Sequence, residues 1–252
     1  EMKMGVLSGL KPEKVFYFFE KLCEIPHGST NMKEISDYLV SFAKERNLKY
    51  YQDEAYNVVI YKEASAGYED APITILQGHC DMVAEKTPDH DFTKDGLKLK
   101  VEGDYLTAEG TTLGGDDGIA VAYMLAILDD DTLKHPALEC VITTDEEIGL
   151  LGAKALDTSV LKGTHMINMD SEEEGYLWIS CAGGLSGTSR IPVEYQEMEG
   201  VVTEVLIDGL NGGHSGAEID KNRANANKLM GLFLYELGQK TAYSIKDLSG
   251  GT

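Results

Sequence analysis

The sequence has little positive charge and no long apolar run, and these two shortages exclude several classes of protein. It carries 22 Lys and Arg residues against 43 Asp and Glu, a formal net charge of −21. Phosphate backbones and anionic lipids are bound by clustered Lys and Arg, so neither nucleic acid nor a membrane is an expected partner. No apolar run approaches the roughly 20 residues that cross a bilayer. The first four residues also lack the apolar core of a signal peptide.

Cysteine is scarce as well, and its spacing argues against a disulfide framework. The four cysteines form no Cys-x-x-Cys pair and mostly lie beside or within apolar strand-like runs: Cys23, Cys80, Cys140 and Cys181. Thiols in such runs pack as small hydrophobic groups. We therefore expect a reduced protein of the cytoplasm. The composition is 42% apolar, which is sufficient for a sizeable buried core and argues against disorder.

Helical and strand-like patterns alternate over the first part of the chain. Apolar residues at helical spacing predict helices over 15–25, 31–47, 118–128 and 150–156. The second helix should begin with a capping box, in which Asn31 is the cap and Glu34 reaches back to it. Apolar runs predict strands over 57–61, 73–76, 97–101, 105–108, 138–144 and 165–169, with a hairpin turn at 102–104. This alternation is typical of an α/β domain.

The pattern changes beyond Gly183 and Gly184. Strands are predicted over 188–193 and 201–208, followed by a helix over 220–237. A chain of 252 residues can hold one large domain, or one domain and part of a second. We place the boundary near residue 185, which gives a first domain over 1–185 and part of a second over 186–252.

His79 and Asp81 follow the apolar run 73–76. Residues two apart in an extended backbone share a face, so these two side chains should point the same way. A histidine that binds a metal usually has its second ring nitrogen held by a carboxylate or carbonyl, which is the arrangement that Asp81 could supply. Taken alone, the pair is equally consistent with a histidine hydrogen-bonded in a loop.

Two adjacent carboxylates, Asp116 and Asp117, lie between glycines where a helix is predicted to begin. Helix capping is the simpler explanation, because an anion at a helix N-terminus gains about 0.3–1 kcal/mol from the helix dipole. Capping needs only one Asp, however, and the flanking glycines let the backbone approach a ligand closely. The two negative charges would repel a phosphate, so a cation is the better ligand.

Three acids at 145–147 directly follow the predicted strand over 138–144. Their mutual repulsion is costly without a cation, although a solvated loop remains the alternative. In an extended backbone Glu146 and Glu147 face different ways, so one can bind a metal while the other transfers protons. Asp170 repeats the arrangement, since it lies nearest the end of the strand predicted over 165–169.

Ligands of open α/β sheets gather at the carboxyl ends of the strands, where His79, Glu147 and Asp170 are expected to meet Asp116. If the carboxylate of Asp116 bridges two ions, these four residues form a two-metal site suited to zinc, cobalt or manganese. Each ion typically takes about three protein ligands, so the set is one contact short. The remaining candidates are outside any strand end: His214, Glu218 and Asp220. We therefore expect an incomplete site.

Four segments resemble, in order and spacing, the zinc peptidase family that includes peptidase T, acetylornithine deacetylase and the aminoacyl-histidine dipeptidases. The segments are Gly78–Val83, Thr111–Gly118, Thr144–Gly149 and Asn168–Glu172. The Asp116-Asp117-Gly118 form and the stretch 170–175 most resemble the bacterial Xaa-His dipeptidases. The resemblance implies a twisted mixed sheet flanked by helices, the fold of the di-zinc exopeptidases. It also implies His79, Asp116, Glu147 and Asp170 as metal ligands, Asp116 as the bridge, Asp81 as partner of His79, and Glu146 as general base.

The segment 211–216 resembles the family's motif in a smaller α+β lid domain. There a histidine reaches the active site of a dimer partner and holds the substrate, which implies substrate-binding roles for His214 and Asn211 and a homodimer. Family members end with a further histidine ligand in a C-terminal stretch, after the lid. We therefore expect this chain to be an N-terminal portion that stops inside the lid, with weak metal binding and little activity of its own.

The expected activity is hydrolysis of dipeptides, above all Xaa-His dipeptides, by a water molecule that two divalent ions activate and Glu146 deprotonates. The sequence contains neither a Gly-x-Ser-x-Gly elbow nor a His-Glu-x-x-His helix, which agrees with water as the nucleophile. An aminotripeptidase or an N-acyl amino-acid deacylase of the same family is the nearest alternative. A non-catalytic module for cation binding or dimerisation is the alternative from another class.

Overall fold

The computed structural model describes residues 5–171, 173–181, 183, 185, 187–213 and 218–250. The chain divides into two compact units, residues 1–180 and 181–252. The predicted boundary near residue 185, and the assignment of the two parts as catalytic and lid domains, remain predictions.

A mixed sheet is the centre of the first unit. Among the described residues, its strands lie in the order β1-β2-β6-β3-β7: β1 Lys49–Gln52, β2 Val58–Lys62, β3 Thr74–His79, β6 Leu138–Thr143 and β7 His165–Asn168. β2 pairs antiparallel with β1 and with β6, whereas β3 pairs parallel with β6 and with β7. The predicted hairpin forms a separate sheet of β4 Leu99–Glu102 and β5 Tyr105–Ala108. The α/β fold with a mixed sheet and flanking helices is confirmed.

The helices of the first unit follow the apolar patterns of the sequence. They are α1 Glu13–Cys23, α2 Lys33–Glu45, α3 Gly115–Leu128 and α4 Leu151–Ala155. α3 packs against both α1 and β3, and it is accordingly apolar on most of its surface. Val121, Met124 and Leu125 are fully buried there and join the side chains of α1 and α2 in one core. This packing fixes the N-terminal end of α3, which carries Asp116, against the sheet.

The parallel pairing of β3, β6 and β7 determines where the functional residues lie. In the register, His79 is opposite Thr143 and Gln77 is opposite Asn168, so the carboxyl ends of the three strands share one edge. All six residues of β6 are buried. The polar residues that follow the three strands therefore begin side by side at the edge of the sheet.

Three details of the predicted secondary structure are wrong. The capping box of α2 is absent: the helix begins after Met32, and the Asn31 amide instead donates hydrogen bonds to the carbonyls of Pro26 and Phe92. The strands predicted over 188–193 and 201–208 are not formed, because a strand requires a neighbouring strand and the described residues supply none there. The edge strand β1 was missed.

The second unit contains the predicted helix in a shorter form. α5 spans Ala226–Gly238, preceded by a 3₁₀ turn at Ile219–Lys221. The side chain of Asn225 accepts a hydrogen bond from the Lys228 N–H at 2.9 Å, and this cap starts the helix later than predicted. In the described parts of the chain, no helix is long and apolar enough to span a membrane.

Candidate metal centre

His79 is the last residue of β3, and its ring is almost fully buried. Its Nδ1 lies 3.0 Å from the carbonyl oxygen of Asp81 and 3.3 Å from the Asp81 carboxylate. Both groups are acceptors, so Nδ1 carries a proton, and Nε2 is the nitrogen left to face the other acids of the site. Nε2 lies 3.1 Å from Oδ1 of Asp116. The ring is therefore oriented as a metal ligand requires, with its second nitrogen held by a carboxylate.

The buried carboxylate of Asp81 joins the histidine to the acidic segment that follows β6. Oδ1 accepts a hydrogen bond from the Glu146 N–H at 2.9 Å, and Oδ2 accepts from the Glu147 N–H at 3.3 Å. Ser29, from the loop between α1 and α2, donates its hydroxyl to Oδ2 at 2.8 Å. One side chain thus holds both the histidine ring and the backbone of two acids.

The adjacent acids at the start of α3 have different surroundings. The Asp116 carboxylate is half-exposed and faces the ring of His79, whereas Asp117 is buried. Oδ2 of Asp117 accepts a hydrogen bond from the His79 backbone N–H at 3.2 Å. This close approach requires glycine at position 78, because a Cβ there would lie 2.4 Å from Oδ2 of Asp117. The structure therefore adds Asp117, Gly78 and Ser29 to the residues that shape the site.

The structure brings the predicted metal ligands together in two overlapping groups. His79, Asp116 and Asp170 form one group, and His79, Glu146 and Glu147 form the other. Within each group, one ligand atom per residue lies within 4.8 Å of the others. All four predicted ligands and the predicted base therefore meet at the carboxyl edge of the sheet, with His79 common to both groups.

The electrostatics of the centre favour a bound cation. Burial, followed by the neighbouring carboxylates, raises the pKa of both Glu146 and Glu147. Burial and the charge of Asp170 raise the pKa of Asp117 to about 7. Burial alone would lower the pKa of His79, but its hydrogen bonds to Asp116 and Asp81 raise it to about 11. A bound cation would counter both the burial and the mutual repulsion that raise the pKa of the three carboxylates.

The pKa of Asp81 is lowered, whereas the pKa values of Asp117, Glu146 and Glu147 are raised. Burial would raise its pKa, but the hydrogen bonds from His79, the Glu146 N–H and Ser29 lower it. It is therefore held as a carboxylate, which is the state that orients a histidine ligand.

The donor set fits a divalent metal ion. It combines one imidazole nitrogen with carboxylate oxygens, and zinc, cobalt and manganese all accept such mixed ligands.

Of the two predicted substrate-binding residues, the structure describes one. Asn211 is exposed in the second unit, and His214 lies outside the described residues. Their predicted roles stay predictions.

Comparisons with known proteins found peptidases that are similar to this chain. No protein-family model matches the chain. The chain is 40% identical, over 253 aligned positions, to the cytosol non-specific dipeptidase of Escherichia coli (strain K12). This alignment covers 99% of this chain and 52% of that protein. It is similar to the crystal structure of an aminoacylhistidine dipeptidase from Vibrio alginolyticus, with a TM-score of 0.70, 38% identity and coverage of 93% of this chain and 49% of that chain.

A tripeptidase from Staphylococcus aureus is a more distant structural relative. Its TM-score is 0.56 at 25% identity, over 68% of this chain and 45% of that chain. The chain therefore spans about half the length of the relatives it matches. The predicted resemblance to these peptidases is confirmed.

Proposed function

We propose that this relative of the aminoacyl-histidine dipeptidases carries the metal centre of a cytoplasmic enzyme that hydrolyses dipeptides, with Xaa-His dipeptides as the preferred substrates. The observation that carries the proposal is the meeting of His79, Asp116, Glu146, Glu147 and Asp170 at one edge of the sheet. Similarity to two dipeptidases over nearly the whole chain supports the same activity.

In this proposal His79, Asp116, Glu147 and Asp170 would hold two divalent ions, and the carboxylate of Asp116 would serve both. Zinc is the proposed metal, and cobalt or manganese could take its place because the donors are oxygen and nitrogen. When bound, such ions lower the pKa of a water molecule towards roughly 7 and stabilise negative charge on a carbonyl oxygen.

Glu146 is the proposed general base. Its backbone is held by Asp81, and its carboxylate lies close to His79 without being needed as one of the four ligands. Burial and the surrounding acids raise its pKa, which brings it closer to the value that suits proton transfer near neutral pH. In this role Glu146 accepts a proton from the attacking water and returns it to the departing amine.

Substrate binding and assembly belong to the second unit in this proposal. By resemblance, Asn211 and His214 would hold the peptide, and the intact protein would be a homodimer in which the histidine serves the partner's active site.

Removal of the metal tests the metal dependence of the proposed activity. The chelating agent EDTA should abolish activity, and added zinc should restore it.

The test is hydrolysis of matched substrate panels by the full-length protein: Xaa-His dipeptides, other dipeptides, tripeptides and N-acyl amino acids. Preference for Xaa-His dipeptides supports the proposal. Preference for tripeptides or acyl amino acids would instead assign the aminotripeptidase or deacylase activity. Zinc binding without any hydrolysis would favour the cation-binding or dimerisation module.

A further inference from the structure

The acids Glu146 and Glu147 lie in a loop, here called the acidic loop, that spans residues 144–150 between β6 and α4. Its two ends are close together: the Gly152 N–H donates to the Thr144 carbonyl at 3.0 Å, and the Leu151 N–H donates to the Asp145 carbonyl at 3.0 Å. The loop is therefore closed at its base by backbone hydrogen bonds. How accurately the two acids are placed depends on what holds that base.

The side chain of Asn57, the residue before β2, fills the base of the acidic loop and is fully buried. Its Nδ2 donates to the Asp53 carboxylate at 2.7 Å and to the Gly152 carbonyl at 2.9 Å. Its Oδ1 accepts from the Thr144 N–H at 3.1 Å. Because the Asp53 and Gly152 groups can only accept, the orientation of the amide is fixed and both of its donors are used.

Gly152 makes this arrangement sterically possible. A Cβ at this position would lie 2.3 Å from the Thr144 carbonyl oxygen and 2.5 Å from Oδ1 of Asn57. Any side chain at position 152 would therefore push the two ends of the loop apart. Asn57 and Gly152 come from different parts of the chain, yet both act on the same closure.

We infer that Asn57 is a positioning residue that, with Gly152, closes the acidic loop so that Glu146 and Glu147 reach the centre around His79. The link to the metal centre rests on the proposed function. The closure of the loop itself does not, because it follows from hydrogen bonds made without a metal. Asn57 acts through the backbone of residues 144 and 152, and its neighbour Val58 is paired with Ile142 by the sheet independently of the amide.

The experiment compares two variants that open the loop base with one matched control. Asn57→Ser shortens the side chain so that it cannot reach both Thr144 and Gly152, and Gly152→Ala inserts the clashing Cβ. Lys62→Met is the control, because Lys62 lies at the other end of β2. Its partly buried ammonium likewise donates to three backbone carbonyls, those of Ile127, Leu128 and Asp130.

The first readout is hydrogen–deuterium exchange of the metal-free protein, followed in peptides that cover 144–152. We expect exchange at least about tenfold faster in both loop variants and unchanged in Lys62→Met. Wild-type protection of this loop in either loop variant would overturn the inference. If one of the two does not fold, the other decides, because each acts on the loop base by itself.

The second readout is zinc affinity, measured by competition with a chelator below the melting temperature of each variant. We expect affinity to fall about tenfold or more in both loop variants, in the range found for residues that orient ligands. Lys62→Met should lose stability while its affinity stays within about twofold of wild type. Wild-type affinity in a variant whose loop exchanges faster would show that the loop base does not position the acids. Absence of zinc binding by the wild type would instead remove the proposed function.

Discussion

The two units of the chain use similar apolar patterns with different results. In the first unit, residues such as Ile60, Val141 and Ile142 are buried in paired strands. In the second unit, Leu185 and Val201 are more than 90% exposed although the sequence around Val201 has the same strand-like character. Apolar residues become a strand only where a neighbouring strand accepts their backbone hydrogen bonds. The difference shows that an apolar pattern forms a strand only where a neighbouring strand is available to pair with it.

The largest expected effect tests whether the first unit carries the chemistry. In the full-length protein, Glu146→Gln keeps the size of the side chain but removes the proton acceptor, so turnover of a dipeptide should fall by about 10²–10⁴-fold. Metal content should stay at the wild-type value, because Glu146 is not among the assigned ligands. Glu173→Gln, an exposed acid close to the end of the same unit, is the control. Retained turnover would place the base elsewhere.

The next largest effect concerns the metal itself. Asp116→Ala removes the carboxylate that faces the ring of His79, so less metal should be bound per chain than in the wild type. Elemental analysis after dialysis against zinc measures this directly. An exposed acid of the second unit provides the control, Asp208→Ala. Unchanged metal stoichiometry in Asp116→Ala would remove the bridging assignment.

A pair of apolar truncations compares the stability of the two units. Leu125→Ala leaves a cavity in the core between α1, α3 and the sheet, and should lower the free energy of unfolding by about 2–5 kcal/mol. Val201→Ala shortens an exposed side chain and should change the free energy of unfolding by less than about 0.5 kcal/mol. Chemical denaturation measures both values. Equal losses would mean that residue 201 is packed in solution and would break the contrast between the units.

The smallest effect concerns the start of α5. Asn225→Ala removes the hydrogen bond to the Lys228 N–H and should cost about 0.5–2 kcal/mol of local helix stability. Amide exchange over 226–230 measures this local effect. The matched control is Asn227→Ala, at the second residue of α5. Equal exchange in the two variants would show that the cap does not determine where the helix begins.

The meeting of the candidate metal ligands could be predicted because each of their segments has a separate signal in the sequence. His79, Glu147 and Asp170 follow apolar runs, and charges at strand ends are visible without a structure. The burial of Asp117 and its hydrogen bond from the His79 N–H could not be predicted. They depend on the backbone angles at the start of α3, where Asp116 and Asp117 depart from helical geometry. The role of Asn57 was hidden for a similar reason, since its two partners at the base of the acidic loop are 87 and 95 residues away in sequence.

The errors in the predicted fold also have physical causes. Asn31 and Glu34 match a capping box, but tertiary contacts with Pro26 and Phe92 take the Asn31 side chain away from the helix. β1 was missed because Lys49-Tyr50-Tyr51-Gln52 is short, and half of its residues are exposed at the edge of the sheet. Edge strands are defined by pairing with a neighbour, which local sequence does not record.

The contact between Gly78 and Asp117 has a consequence for how this protein can vary. A methyl group at position 78 would occupy the space of the Asp117 carboxylate, so position 78 cannot accept a side chain while Asp117 is unchanged. A shorter residue at 117 would make room for alanine at 78, but it would leave the His79 amide without its acceptor. Diversification in the laboratory should therefore recover a side chain at position 78 only together with a change at position 117.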